Sequence, residues 1–220
     1  MSQQPMTLDT TLTKPVRLDY FIQVPAGEPD SPKGWPLLLF LHGMGERGRN
    51  VQDVTKHGPP KMIAAGDEFP FVVVSPQCPP DHWWHDVEDD LLALIDEVSA
   101  TCAVDARRVY LTGLSMGGYG TWTMGRKHPE RFAALVPICG GLLPGYDLAP
   151  LATRPVWAFH GAKDPVVPLR ESQWIVDAVR DLGGDIRLTV YPEAEHDAWS
   201  ETYDNPALYE WLLSHALLAD

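Results

Sequence analysis

Ser115 stands in Gly113-Leu114-Ser115-Met116-Gly117, and the residues from Val109 to Gly118 read as a buried strand, a sharp turn and the start of a helix. A serine in such a strained turn presents its hydroxyl as a nucleophile, and glycines two before and two after it are needed because neighbouring backbone would meet any side chain there. With 8 Ser and 18 Gly in 220 residues, chance expects roughly 0.05 matches to G-x-S-x-G. A turn serine with incidental glycines would explain the spacing, but not the strand before it and the helix after it.

A nucleophilic serine needs a base, and the base needs an orienting acid. Asp164 follows the apolar run Val156 to His160, in Gly161-Ala162-Lys163-Asp164-Pro165. His196 follows the run Ile186 to Tyr191, in Pro192-Glu193-Ala194-Glu195-His196-Asp197. Of the 8 His, only His196 and His215 lie beyond Asp164, and His215 falls in an expected terminal helix. Singly, Asp164 reads as a turn former before proline and His196 as an exposed loop residue. Together, in the order Ser, Asp, His and each at a strand end, they read as a catalytic triad.

Acyl transfer also needs N–H donors where negative charge develops on the attacked carbonyl oxygen. Met116, next after the nucleophile, supplies one candidate N–H; Met44, in the loop Leu41-His42-Gly43-Met44-Gly45, supplies the other. The same loop spells Gly43-Met44-Gly45-Glu46-Arg47-Gly48, formally a dinucleotide-binding G-x-G-x-x-G. That fingerprint requires an acidic residue at the tip of the next strand. Here the strand ends Val74-Ser75-Pro76-Gln77, so no cofactor is expected.

Trp83, Trp84 and Trp199 are candidates for rigid apolar walls of the cleft, and ordinary core aromatics is the competing reading for each. Leu142 and Leu143 are weaker candidates. The run Asp81-His82-Trp83-Trp84-His85-Asp86 offers two His and two Asp, but lacks H-E-x-x-H spacing, and Asp86 is accounted for as a helix cap. No metal is expected.

These residues need a scaffold that brings strand ends together. Apolar runs of strand length recur at Leu18 to Val24, Pro36 to Leu41, Phe71 to Ser75, Val109 to Leu114, Leu135 to Cys139, Val156 to His160 and Ile186 to Tyr191. Helical spacing lies between them at Val87 to Thr101, Tyr119 to Lys127 and Glu171 to Leu182, and after them at Ala207 to Leu217. Alternation of this kind implies an α/β fold, a mainly parallel sheet with helices on both faces. One domain is expected over 1–220, with an N-terminal strand and loop in 1–35 and the catalytic core in 36–217. Only Gly140 to Pro155 separates the fifth strand from the sixth, too short for a helical cap domain.

The formal charge is −13, from 17 Lys+Arg against 30 Asp+Glu. That balance works against nucleic acid, whose phosphates need clustered cations. No uncharged stretch reaches the ~20 apolar residues of a membrane span. Cys78, Cys102 and Cys139 are widely spaced and odd in number, which suggests reduced thiols in a cytoplasmic protein; a secreted protein stays open if a leader has been removed. Oligomeric state is left open.

In this order LHGMGERG, VVVSPQCP, VYLTGLSMGGYGTW, FHGAKDPVVP and EAEHDAW resemble the compact serine esterases of the α/β-hydrolase superfamily, in the carboxylesterase/phospholipase and polyhydroxybutyrate-depolymerase-like groups. The resemblance runs from about Pro36 to Leu213. It implies Ser115 as nucleophile, Asp164 as acid, His196 as base, and hydrolysis of small or medium carboxylic esters without a cofactor. Dienelactone hydrolases share the architecture but use a Cys nucleophile, where this elbow has Ser115. Three further readings stand beside it: a feruloyl or acetyl polysaccharide esterase, a lysophospholipase or acyl thioesterase, and a binding protein of the same fold that has lost the chemistry.

Overall fold

The computed structural model describes residues 4–11 and 13–218. All seven apolar runs form strands: β1 (Tyr20–Gln23), β2 (Trp35–Leu41), β3 (Val72–Pro76), β4 (Val104–Leu114), β5 (Ala134–Ile138), β6 (Val156–Gly161) and β7 (Ile186–Tyr191). They lie in the order β1-β3-β2-β4-β5-β6-β7, with β1 antiparallel to β3 and every other pairing parallel. Leu37 to Leu41 are fully buried in succession. A strand covered on both faces needs apolar side chains at odd and even positions alike.

Among the described residues six α-helices cover the sheet: α1 (Gly58–Ala65), α2 (Glu88–Thr101), α3 (Met116–Lys127), α4 (Arg170–Asp181), α5 (Trp199–Tyr203) and α6 (Pro206–Leu213). Leu37, Leu39, Val72 and Val74 face α2, α3 and α4 through Leu91, Ile95, Trp122, Ile175 and Val179. Leu38, Phe40 and Val73 face the opposite layer, built from Tyr203, Leu208, Trp211 and Leu212 of α5 and α6. Each fully buried side chain of this size contributes about 1.5–3 kcal/mol before the entropy of ordering the chain is counted.

Two expectations about helix ends change. Asp86 does not cap α2, whose first flanking residue is Val87; instead Asp86 Oδ2 accepts from Trp83 N–H at 2.8 Å and closes the short turn Trp84–Asp86. The terminal helix stops at Leu213 rather than Leu217. There Tyr110 Oη donates to His215 O at 2.8 Å and Leu217 N–H donates to Arg107 O at 2.9 Å, drawing the chain off the helical path.

Between β5 and β6, residues 139–155 hold one short turn, Leu151–Thr153, and no helix. The parallel arrangement brings the C-terminal ends of β2, β4, β6 and β7 to one edge of the sheet, and the site residues follow those ends.

Candidate active site

Ser115 sits between the last residue of β4 and the first of α3, at φ 52° and ψ −114°. A left-handed φ on a residue with a side chain costs of order 1–3 kcal/mol, so the surroundings must hold it there. They do so by close backbone approach. A Cβ on Gly117 would lie 1.9 Å from Leu41 O, and one on Gly113 would lie 2.4 Å from Gly117 O. Both glycines are therefore required by the contact of α3 with the ends of β2 and β4. Ser115 N–H donates to Ile138 O at 3.0 Å, tying the turn to β5.

His196 Nε2 lies 3.0 Å from Ser115 Oγ, and His196 Nδ1 lies 2.7 Å from Asp164 Oδ2. The Asp164 side chain is fully buried, and its other oxygen accepts the N–H groups of Val166 and Val167, each at 2.9 Å. A carboxylate so placed accepts from Nδ1–H, which leaves the Nε2 lone pair facing the serine hydroxyl. The arrangement can take the Ser115 proton as Oγ attacks a carbonyl. A second imidazole supports the acid: His160 is fully buried with Nε2 3.4 Å from Asp164 Oδ2 and 2.8 Å from Val167 O, and burial lowers its pKa.

Met116 opens α3 and Met44 opens the short turn Met44–Glu46, so by position neither N–H has a partner within its own turn. Both residues line a cavity of about 450 Å³ that also contains Ser115 and His196. His42 holds the Met44 side of it. Its Nδ1–H donates to Gly43 O at 2.6 Å and its Nε2 accepts from Cys78 N–H at 2.9 Å. Gly43 C=O and Met44 N–H belong to one trans peptide, so clamping the carbonyl aims the N–H the opposite way. Burial, the largest cause, pushes the pKa of His42 down to about 4, which keeps it in this neutral tautomer. Gln77, at the tip of the next strand, is spent on the same loop, donating to Glu46 O at 2.8 Å and to Asn50 O at 2.9 Å.

Trp83 and Trp199 line this cavity, and Trp199 meets the His196 ring edge-on at 5.3 Å between centroids. Trp84 does not. It is 1% exposed, its Nε1–H donates to His42 O at 3.0 Å, and it packs beneath the loop as a core residue. Leu142 and Leu143 also lie outside, lining a neighbouring cavity; Leu142 is packed into the core and Leu143 faces solvent. Sequence reasoning missed Tyr119, Val166, Val167 and His57, which complete the walls. Tyr119 was within reach, four residues after Ser115 on α3 and hence on the same side. A larger cleft of about 510 Å³, at Arg17, Arg49 and Gln77, contains none of the relay residues.

Cys139 Sγ lies with the Asp164 and His196 donor atoms inside a 4.8 Å group of metal-ligand type. Burial raises the pKa of that thiol well above its ordinary range, keeping the proton on sulfur, and the other two donors are engaged with each other. In the Asp81 to Asp86 run, His82 Nδ1–H donates to Pro80 O at 2.9 Å and Asp86 holds the Trp83 turn. These donors are spent on local backbone.

A parallel sheet with a strained serine after its fourth strand, and an Asp–His pair presented from two later strand ends, defines an α/β-hydrolase. Residues 81–208 match the model of the dienelactone hydrolase family, and the chain belongs to that family. It is 31% identical over 188 residues to the bifunctional acetylxylan esterase/xylanase XynS20E of Neocallimastix patriciarum, covering 80% of this chain and 26% of that protein. It is 28% identical over 169 residues to poly(3-hydroxyalkanoate) depolymerase C of Paucimonas lemoignei, covering 64% and 39%. The crystal structure of a thermostable esterase superposes with a TM-score of 0.78 at 32% identity, over 91% of this chain and 59% of the other. The chain spans 26% to 56% of the length of four curated relatives that it matches. Among the described residues no helix is long and apolar enough to cross a membrane.

Proposed function

We propose that this chain hydrolyses carboxylic esters of small or medium acyl groups through a Ser115 acyl-enzyme. The reading is carried by one observation, the continuous Ser115–His196–Asp164 relay with contacts of 3.0 and 2.7 Å. His196 takes the Ser115 proton, Oγ attacks the carbonyl, and the Met44 and Met116 N–H groups hold the oxyanion. His196 then protonates the departing alcohol, and the same residues activate water for deacylation. No step calls for a cofactor or metal.

Acetylxylan esterase and polyhydroxyalkanoate depolymerase relatives support esters of short acyl groups as the substrate class. Acyl-protein thioesterase 1 of Gibberella zeae, 29% identical over 203 residues and matched over 86% of its length, keeps an acyl thioester as the second reading. The three unpaired cysteines, two of them buried, fit a reducing compartment, and the acidic balance fits a small-molecule substrate better than nucleic acid. A p-nitrophenyl ester chain-length series run beside methyl ferulate and an acyl thioester sorts these classes. Fluorophosphonate labelling that is present in the parent protein and lost in Ser115→Ala tests the nucleophile; no labelling of the folded parent refutes the reading and favours a binding protein.

A further inference from the structure

A second cavity of about 290 Å³ adjoins the active-site cavity, the two sharing Trp83 and Tyr119 as lining. These rings meet edge to face with centroids 6.2 Å apart. Beyond them the second cavity runs to Leu142, Leu143, Arg126 and Tyr146. Leu143 is 69% exposed and Tyr146 46% exposed, so large apolar side chains stand open to solvent here.

One charge in this apolar space is uncompensated. The Arg126 guanidinium lies over the Tyr146 ring at 4.4 Å from its centroid, and among the described residues it has no ion-pair partner; its Nε–H has no acceptor. Its neighbour Lys127 is held by both carboxylate oxygens of Glu88, at 2.7 and 2.9 Å. Glu171, which packs its Cβ close to Gly141 at the cavity floor, has its Oε1 3.4 Å from Arg170 Nε. Stacked on an aromatic face, a guanidinium is held in orientation and presents a planar pair of donors that matches a carboxylate.

We propose that the second cavity is a recognition subsite for the end of the ester remote from its carbonyl, and that it takes an aromatic or short alkyl group ending in a carboxylate. The proposal rests on the reading of Ser115 as an ester-cleaving nucleophile. Trp83 and Tyr119 form the sill across which the substrate extends, the leucines cover its apolar body, and Arg126 receives its anionic end.

The test compares methyl 3-(4-carboxyphenyl)propionate with its neutral 4-carbamoyl counterpart, with p-nitrophenyl acetate as a control too short to reach the subsite. The parent protein is expected to prefer the carboxylate by about tenfold in kcat/KM, the effect of one partly exposed charge-assisted contact. Arg126→Gln loses that preference, Arg126→Lys keeps part of it, and Leu143→Asp, which sets a carboxylate at the exposed Leu143 position, lowers it. All three cleave p-nitrophenyl acetate as the parent does. A preference near unity in the parent, or one unchanged in Arg126→Gln, overturns the subsite while leaving the esterase reading in place. If p-nitrophenyl acetate and both methyl esters are untouched by every form, the esterase reading fails instead. Calorimetric binding of free 3-(4-carboxyphenyl)propionate, expected in the parent and lost in Arg126→Gln, then decides the subsite by itself.

Discussion

Acidification should destabilise this protein through His42, and the size of the effect can be worked from its surroundings. His42 is fully buried, its Nε2 accepts Cys78 N–H at 2.9 Å, and its pKa is pushed down to about 4. Protonating Nε2 would set two donors against each other. In the unfolded chain the same imidazole titrates near 6.5. Below that pH the unfolded state binds a proton that the folded state refuses, so stability falls as pH drops from 6.5 to about 4. At 1.36 kcal/mol per unit the loss approaches about 3 kcal/mol, a large share of the 5–15 kcal/mol typical of a domain. Urea unfolding of the parent and of His42→Gln at pH 7.5, 6, 5 and 4 isolates the contribution, because His160, His215 and the carboxylates titrate alike in both proteins. His42→Gln should be less stable at pH 7.5, having lost the imidazole contact with Trp84, but the gap should shrink by about 3 kcal/mol by pH 4. Parallel stability curves would refute the assignment of His42 as a neutral clamp.

Other expectations follow from individual contacts. Ser115→Ala and Ser115→Gly should both abolish ester hydrolysis, with the Gly variant unfolding at the higher temperature because φ 52° is strained for any residue with a Cβ; equal melting temperatures count against strain. Gly117→Ala places a Cβ 1.9 Å from Leu41 O, so α3 must shift and kcat should fall at least a hundredfold; near-normal kcat would show that the elbow yields more easily than its contacts imply. Trp84→Phe should cost about 1–2 kcal/mol through the lost bond to His42 O, whereas Trp199→Ala should change KM and substrate preference with little change in stability, as unfolding curves and kinetics on one preparation will show. With no helix between β5 and β6, rate should rise hyperbolically with substrate through its solubility limit, and a sigmoidal jump there would contradict an open site.

What was legible in the chain, and what was not, divides along the range of the forces involved. The seven strands and the elbow are written locally: a run of fully buried residues such as Leu37 to Leu41 can satisfy no other environment, and G-x-S-x-G encodes contacts two residues to either side. The short helix Trp199–Tyr203 and the helix that begins Gly58-Pro59-Pro60 were not legible, the first because one turn carries no period, the second because Pro-Pro reads as a breaker although the first turn has no N–H to lose. The roles of the three tryptophans depended on geometry that no spacing encodes. Trp83 and Trp84 are adjacent, yet the turn closed by Asp86 sends one to the cavity and the other beneath it, where its indole N–H holds His42 O. His42 itself looked like one more residue of the glycine-rich loop. Its position becomes meaningful only when Cys78, 36 residues away, supplies the N–H that fixes its tautomer. The nucleophile was therefore readable from its neighbours, whereas the parts that aim the oxyanion donors arise from contacts between strand ends and exist only once the parallel sheet has formed.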